Sequence, residues 1–530
     1  MTRSVGSRAG AEAPATGDRG GVVALPRRRV SAVVGALLLG TLLSGLDQMA
    51  VSTALPTIVG DLGGASHLTW LVTAYLLAST VSTPLWGKLG DLYGRKVFFQ
   101  LALVLFLVGS VLSGACRSMV ELILARGVQG LGGGGLLVGA QAVIGDVVAP
   151  RERARYQGLF SAVFAVTSLV GPLVGGLVTQ AAGWRWVFYL NLPIGVVALA
   201  AAAVALPTAL PTGLPRTHRV IDYRGAVVLA AAASCLLLCA GLGGTEYPWP
   251  SAPIVGLAVA GVLLSGVWAV IERRAVDPVL PLPLFGNRVF AAGAVISVVT
   301  GFVMFGVTVF MPVFLQVVRG VSPAASGVGV LPLMVGLLVT SLGSGVLISR
   351  TGRYRVIPVT GAGATTVALL LMSLVGPGTP AVLVDVCLAV LGAGLGCVLQ
   401  VLVVAVQAAV PHDQLGAATG GITFFRSIGG AFGTAVFGAV FANLLTDRLA
   451  ALPPVPALPG GSAAGVSPAR LHELAPSVRD AVVGAYTSSV QTVFLTAAAV
   501  AAAAFALSWL LPEITLRGAR DAAAGSAPGR

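Results

Sequence analysis

Two charged residues stand where apolar side chains belong. Asp47 lies in Leu46-Asp47-Gln48-Met49-Ala50-Val51-Ser52-Thr53-Ala54-Leu55-Pro56, within a long apolar run. Arg126 opens Arg126-Gly127-Val128-Gln129-Gly130-Leu131-Gly132-Gly133-Gly134-Gly135, within another. Ionisable residues inside apolar spans are costly and mark a functional site by default. At 1.5 Å rise per residue, Asp47 lies about 14 Å below the helix end near Pro56, and Arg126 about 10 Å below the same surface. The two fall at comparable depth. A carboxylate beside a guanidinium stays ionised, and drawing them apart lets it take a proton. That is a physical route for coupling proton movement to a conformational change; a purely structural ion pair is the other reading. The glycine run is no phosphate loop, because no Lys-Ser/Thr follows it.

These residues need apolar helices to hold them. The chain has 530 residues, 56% hydrophobic and 10% charged, with mean hydropathy +0.94. Soluble proteins carry about 25% charged residues, so this composition excludes a large soluble fold. A bilayer-spanning helix needs about 20 apolar residues. That criterion predicts fourteen spans, near 31–57, 68–87, 97–116, 119–145, 156–181, 185–206, 225–243, 252–271, 289–317, 324–348, 355–375, 381–409, 415–443 and 488–511. Residues 1–29 read as a disordered tail, with Arg27-Arg28-Arg29 directly before the first span.

Charge tests that topology. With the N-terminus inside, 24 of the 32 basic residues fall in inner segments and six in outer ones, while Arg126 and Arg426 lie within spans. The positive-inside rule accounts for the net charge of +13 without a nucleic-acid partner. Both termini are expected in the cytoplasm. The predominance of Arg over Lys and the abundance of Ala point to a GC-rich, bacterial genome, hence an inner membrane. Cys116, Cys235, Cys239, Cys387 and Cys397 read as small buried hydrophobes. His67, His218, His412 and His472 are scattered over loops. Nothing in the chain calls for a cofactor or a metal, and no catalytic constellation is present, so it reads as a non-enzyme.

A charged bridge, Gly87-Lys88-Leu89-Gly90-Asp91-Leu92-Tyr93-Gly94-Arg95-Lys96, separates the second and third spans. Asp91 can pair with Arg95 or with a neighbouring helix N-terminus, forming a gate lock that Asp146 and the nearby Arg151, Arg153 and Arg155 could join. A solvated loop that only sets topology is the alternative. The bridge recurs 258 residues on, at Gly345 to Tyr354, with Ser349 in place of Asp91. A second lock there should be weaker or absent. The repeat divides the chain into a six-helix half at 30–206, two linker helices within 207–288, and a second half at 289–512 with an external loop at 446–486. A tail follows at 513–530. Two such halves around a central path are a transporter plan.

Weaker candidates remain. Gly171-Pro172-Leu173-Val174-Gly175-Gly176 gives a kinked, closely packed helix. Asp385 lies about 7 Å inside its span, as a second proton or cation site or as an interfacial acid. Arg426 lies mid-span and must face the bundle interior or a wet cavity. Tyr75, Phe164, Phe302, Phe305, Phe424 and Phe425 are candidate contacts for a lipophilic or cationic ligand, with core packing or lipid exposure the alternative for each.

The charged bridge resembles the loop 2–3 signature of the major facilitator superfamily. The Asp47 stretch resembles the helix 1 pattern of its fourteen-helix drug:proton antiporters, the EmrB/QacA subfamily, with Ser52 where Asn often stands. Arg126 to Gly132 resembles the superfamily signature linked to proton transfer. Gly171 to Gly176 resembles the exporter signature of helix 5, and Arg426-Ser427-Ile428-Gly429-Gly430 is similar to a pattern frequent in that subfamily. The resemblance spans roughly residues 28–512. It implies an all-α membrane protein of major facilitator fold, with two six-helix halves plus two inserted helices. It also implies proton-coupled efflux of small hydrophobic or cationic drugs or antibiotics across the bilayer. Asp47, Arg126 and Asp385 would serve proton coupling; Gly87, Gly90, Asp91, Gly94, Arg95, Lys96 and Asp146 the cytoplasmic gate; and Tyr75, Phe164, Phe305, Phe425 and Arg426 the substrate path. A nutrient importer and a non-transporting membrane receptor are the competing readings. The helix 5 motif speaks against the first and the buried charges against the second.

Overall fold

A computed structural model describes residues 26–63, 68–207, 222–244, 246–450, 476–514 and 516. Most of the 1–29 tail, residues 451–475 of the 446–486 loop, and nearly all of the 513–530 tail lie outside these. The described chain is helical throughout, with only an isolated backbone bridge between Gly243 and Tyr247. In an apolar medium each backbone group must be satisfied within its own segment, which helices achieve.

In chain order the helices are α1 (Arg27–Leu62), α2 (Leu68–Tyr93), α3 (Arg95–Ala115), α4 (Met119–Val147), α5 (Pro150–Ala182), the short α6 (Arg185–Tyr189) and α7 (Asn191–Ala205). Next come α8 (Tyr223–Leu242) and α9 (Ala252–Arg274). The remainder are α10 (Arg288–Val313), the short α11 (Pro323–Gly329), α12 (Leu331–Thr351), α13 (Val356–Met372), α14 (Ala381–Ala409), α15 (Leu415–Ala450) and α16 (Pro476–Ser508). Their limits follow local signals. Ser118 caps α4 by accepting from the Glu121 amide at 3.3 Å, and Glu121 accepts from the Arg117 amide at 2.9 Å, a variant of the capping box. Asn287 and Asp222 cap α10 and α8 in the same way. The flanks of the expected 446–486 loop are helical: α15 runs on to Ala450, and α16 starts at Pro476.

Twelve described helical stretches are long and apolar enough to cross a membrane. The expected fourteen would add α2 and α13. At 17 residues, α13 is shorter than a full span. The apolar character of α2 is diluted by Ser79, Thr80, Ser82 and Thr83. Both nonetheless pack within the bundle. Leu124, Leu177, Val204 and Leu263 are among the large apolar side chains exposed on the helix surfaces, as a lipid-facing surface requires.

Contacts divide the helices into two sets. In the first, α1 packs on α5 and α7, and α4 packs on both α2 and α3. In the second, α14 packs on α12 and α13, and α10 on α15. The pair α8 and α9 pack on each other, and α8 also touches α2 and α15. The sets are joined chiefly by α2 with α15 and α5 with α12, and to a lesser extent by α5 with α14 and α4 with α15. Here backbones touch. A Cβ on Gly87 would lie 2.2 Å from the Gly416 carbonyl oxygen, and one on Gly345 would lie 2.4 Å from that of Ala154. Gly87 and Gly345 are the repeat-related positions, so the sequence repeat is also a repeat of contact.

The seam between α1 and α5 sets the position of the Asp47 helix. A Cβ on Gly171 would lie 2.3 Å from Met49 Cβ, and one on Gly175 2.4 Å from the Ala50 carbonyl oxygen. Gly176, by contrast, has nothing within 4 Å of its Cβ position. Gly175→Leu should therefore cost about 1–3 kcal/mol through overpacking, read as a lower melting temperature of the purified protein. Gly176→Leu should leave it unchanged.

Candidate functional site

The α1–α5 and α1–α7 contacts, with α4 alongside, bring Asp47 and Arg126 together. Arg126 Nη1 donates to Asp47 Oδ2 at 2.5 Å. The other carboxylate oxygen accepts from Asn191 Nδ2 at 2.7 Å and Gln129 Nε2 at 2.9 Å. Ser110 Oγ takes a second bond from each of these amides, at 3.2 and 2.7 Å. Gln129 Oε1 accepts from Arg126 Nη1 at 2.7 Å. Asp47 is 1% exposed and Arg126 2%. The carboxylate is thus held by a charge and two amides, the arrangement that a buried ion pair needs to persist.

Tyr75 closes the site. Its ring lies 4.3 Å from the Arg126 guanidinium carbon, a cation–π contact, and its hydroxyl is 2.8 Å from Ser44 Oγ. The residue is 1% exposed, so in this conformation it covers the ion pair and presents no free ligand surface.

A second polar cluster sits at the end of the bundle that carries the charged bridge, called here the basic end. Arg95 Nη2 lies 2.6 Å from Asp91 Oδ1, and Arg95 Nε donates to Asp146 Oδ2. His412 Nε2 is 3.4 Å from the other Asp146 oxygen. Asp91 reaches across to the second helix set, accepting from the amides of Gly416 at 3.0 Å and Ala417 at 2.8 Å. It therefore caps the N-terminus of α15, where a carboxylate is favoured by the unpaired amides and the dipole. Gly90 abuts Arg95, and Gly94 takes φ +107°, a conformation that favours glycine. Lys96 turns away to the Ala203 carbonyl at 2.6 Å. Lys88 pairs with Asp277 of the segment after α9.

A second contact is present at the repeat-related site, made with a guanidinium and neutral carbonyls in place of the carboxylate. At the repeat-related site Ser349 lends no carboxylate, but Arg151 Nε donates to the Ser349 carbonyl at 2.7 Å, and Arg151 Nη2 to that of Arg350. These are terminal carbonyls of α12. One lock is an anion on a helix N-terminus; the other is a cation on a helix C-terminus. Arg153 adds a bond to the Gln407 carbonyl at 3.3 Å, and Gln407 one to that of Gln141 at 3.1 Å. The deepest cross-set bond joins Ser341 and Ser161 at 2.7 Å, near 15 Å from the α12 terminus. Among the described residues, no hydrogen bond or ion pair joins the sets nearer the opposite end.

The other candidates do not converge on one point. Asp385 is exposed on α14, apart from the Asp47 cluster. Phe164 packs against the core of the second set. Phe425 meets Phe285 and Phe424 edge-to-face, with ring centroids 5.9 and 5.6 Å away. Phe305 is 37% exposed. Arg426 is half-buried mid-helix. Asn191 and Ser110 are members of the Asp47 cluster that the sequence alone does not single out, because both are neutral residues on otherwise apolar helices.

A bundle with buried charges in its spans and interlocked helix sets defines a polytopic membrane transporter. Residues 37–434 match the model of the Major Facilitator Superfamily, and the chain belongs to that family. It is 43% identical over 521 residues to an uncharacterised MFS-type transporter of Mycobacterium tuberculosis, covering 97% of this chain and 74% of that one. It is 37% identical over 422 residues to the multidrug transporter protein MdtP of Bacillus subtilis, covering 79% and 77%. Multidrug resistance protein 3 of the same organism is 34% identical over 417 residues, covering 79% and 80%. The fold is shared with the human organic anion transporter MFSD10, at TM-score 0.63 and 15% identity over 91% of this chain and all of that one. It is likewise shared with the proton:xylose symporter XylE, at TM-score 0.62 and 14% identity over 94% and 99%.

The contacts at the basic end predict what loosens it. In a cysteine-free background, a reporter cysteine at Ala417 should react several-fold faster with a membrane-impermeant maleimide once Asp91→Asn removes the charge on the α15 cap. An unchanged rate would mean that Asp91 does not hold this end closed.

Proposed function

We propose that this chain is a fourteen-helix drug:proton antiporter of the EmrB/QacA type, exporting small hydrophobic compounds across a bacterial inner membrane. The observation that carries the reading is the buried Asp47–Arg126 pair, with its amide partners and Tyr75 cover. Multidrug transport and resistance in the names of the Bacillus relatives support the substrate class. The helix 5 motif supports the outward direction.

In this reading α1–α7 and α10–α16 are the two halves, α8 and α9 the inserted pair, and the basic end faces the cytoplasm, as do both termini. α2 and α13 complete the fourteen spans. The conformation described has the cytoplasmic gate shut by Asp91, Arg151 and Arg153. A proton from outside reaches Asp47 only when Tyr75 and Arg126 move aside. Protonation removes the carboxylate charge, frees Arg126, and weakens the reason for α1 and α4 to keep their present register. The halves then rock about the midplane site, the gate opens inward, and substrate enters as the proton leaves.

Expression in an efflux-deficient bacterium, with accumulation measured for a panel of toxic hydrophobic compounds, tests this. Wild type should lower accumulation of at least one compound, and a protonophore should abolish the effect. Asp47→Asn should bring export to near background. Export that survives Asp47→Asn with proton movement intact overturns the coupling role; higher accumulation in wild type overturns the direction. Asn191→Leu should weaken export less than Asp47→Asn, because Arg126 and Gln129 still hold the carboxylate. An effect as large as that of Asp47→Asn would contradict this ranking.

A further inference from the structure

We infer that Arg426 is an anion-recognition residue, and that the compounds carried are amphipathic organic acids, such as aromatic carboxylates. The inference deepens the efflux reading and relies on it only for direction and proton coupling.

Arg426 lies eleven residues along α15 from Leu415, about 16 Å along the axis. This is the level at which the cross-set bonds end, at Ser161 and Ser341. Its backbone is fixed: a Cβ on Gly301 of α10 would lie 2.1 Å from the Arg426 carbonyl oxygen. Its side chain is half-buried. Among the described residues it makes no ion pair and no side-chain hydrogen bond. Arg126, the other guanidinium within the spans, is neutralised by Asp47. Among the described residues at this depth, Arg426 is the guanidinium without a carboxylate partner.

An unpaired guanidinium at membrane depth is costly, and such residues line substrate or ion paths. The counter-charge that the protein does not supply must come from what it binds. A guanidinium fork suits a carboxylate or another oxyanion, which can take two parallel bonds. Next to it the surroundings are aromatic. Gly430 and Gly433, one and two turns on, would meet the rings of Phe305 and the backbone of Phe302, and Phe305 is partly exposed. A ligand with an acidic group and an apolar body matches both features. A lipophilic cation would be repelled by the same residue, so this narrows the substrate class from hydrophobic compounds at large.

The test uses the purified full chain in neutral detergent and a panel of aryl carboxylates, each paired with its methyl ester. Naphthalene-2-carboxylate and 4-phenylbutyrate are included. Binding is read from the shift in melting temperature with concentration. Wild type should bind at least one acid about tenfold more tightly than its ester, as expected for one charge-assisted hydrogen-bonded contact. Arg426→Gln should erase that preference while leaving the ester unchanged, and Arg426→Lys should keep part of it. The unliganded Arg426→Gln protein should melt no lower than wild type, since it loses an unpaired charge. Equal binding of acids and esters, no acid binding, or a preference that survives Arg426→Gln overturns the inference. So does a dependence on Arg426 seen with phosphatidylglycerol alone, which would make the occupant a lipid phosphate. Proton-dependent export without acid preference would sink this inference alone; acid preference without export would sink only the efflux reading.

Discussion

Everything in this bundle is arranged around the difficulty of keeping charge away from water. Asp47 and Arg126 meet that constraint by pairing, and the pair survives because Asn191 and Gln129 fill the remaining lone pairs. The surrounding packing serves the same end. Glycines at 171 and 175 let α5 press against α1, and Tyr75 shuts the polar pocket from the side of α2. Removing one partner from such a site leaves a buried charge uncompensated, which costs more than the pair was worth. That asymmetry ties the two residues together: neither charge can be removed alone without leaving the other buried and unpaired.

The charged positions were the legible part of the sequence. Their types alone show that they are costly, and the helical rise puts Asp47 and Arg126 at similar depth before any contact is known. The i, i+4 pairing of Asp91 with Arg95 could be read in the same way. Neutral partners were not legible. Asn191 and Ser110 reach Asp47 because the helices that bear them turn toward it, and rotation of an apolar helix leaves little trace in its sequence. Which helix N-terminus would donate to Asp91 was equally hidden, since that of α15 lies over 320 residues away along the chain. The Arg151 lock was missed for another reason. Its acceptors are backbone carbonyls, which every helix end possesses, so Ser349 looked like a loss when it was a change of chemistry.

The aromatic residues show that one residue type can serve different surroundings. Tyr75 and Phe425 read alike, as rings for a lipophilic ligand. One covers a guanidinium; the other belongs to a cluster with Phe285 and Phe424. Burial and neighbours separate the roles, and neither is encoded locally.

The two locks at the basic end differ in a way that outlasts their similar geometry. The first is built from Asp91, Asp146 and His412 around Arg95, and burial pushes the Asp91 carboxyl up to about 6. The second rests on Arg151 and two carbonyls, and an arginine keeps its charge at any pH a cell meets. Acidity on that face therefore acts on one seam and leaves the other untouched. The sets are held by a fastening with a titratable edge along α2 and α15 and an indifferent one along α5 and α12.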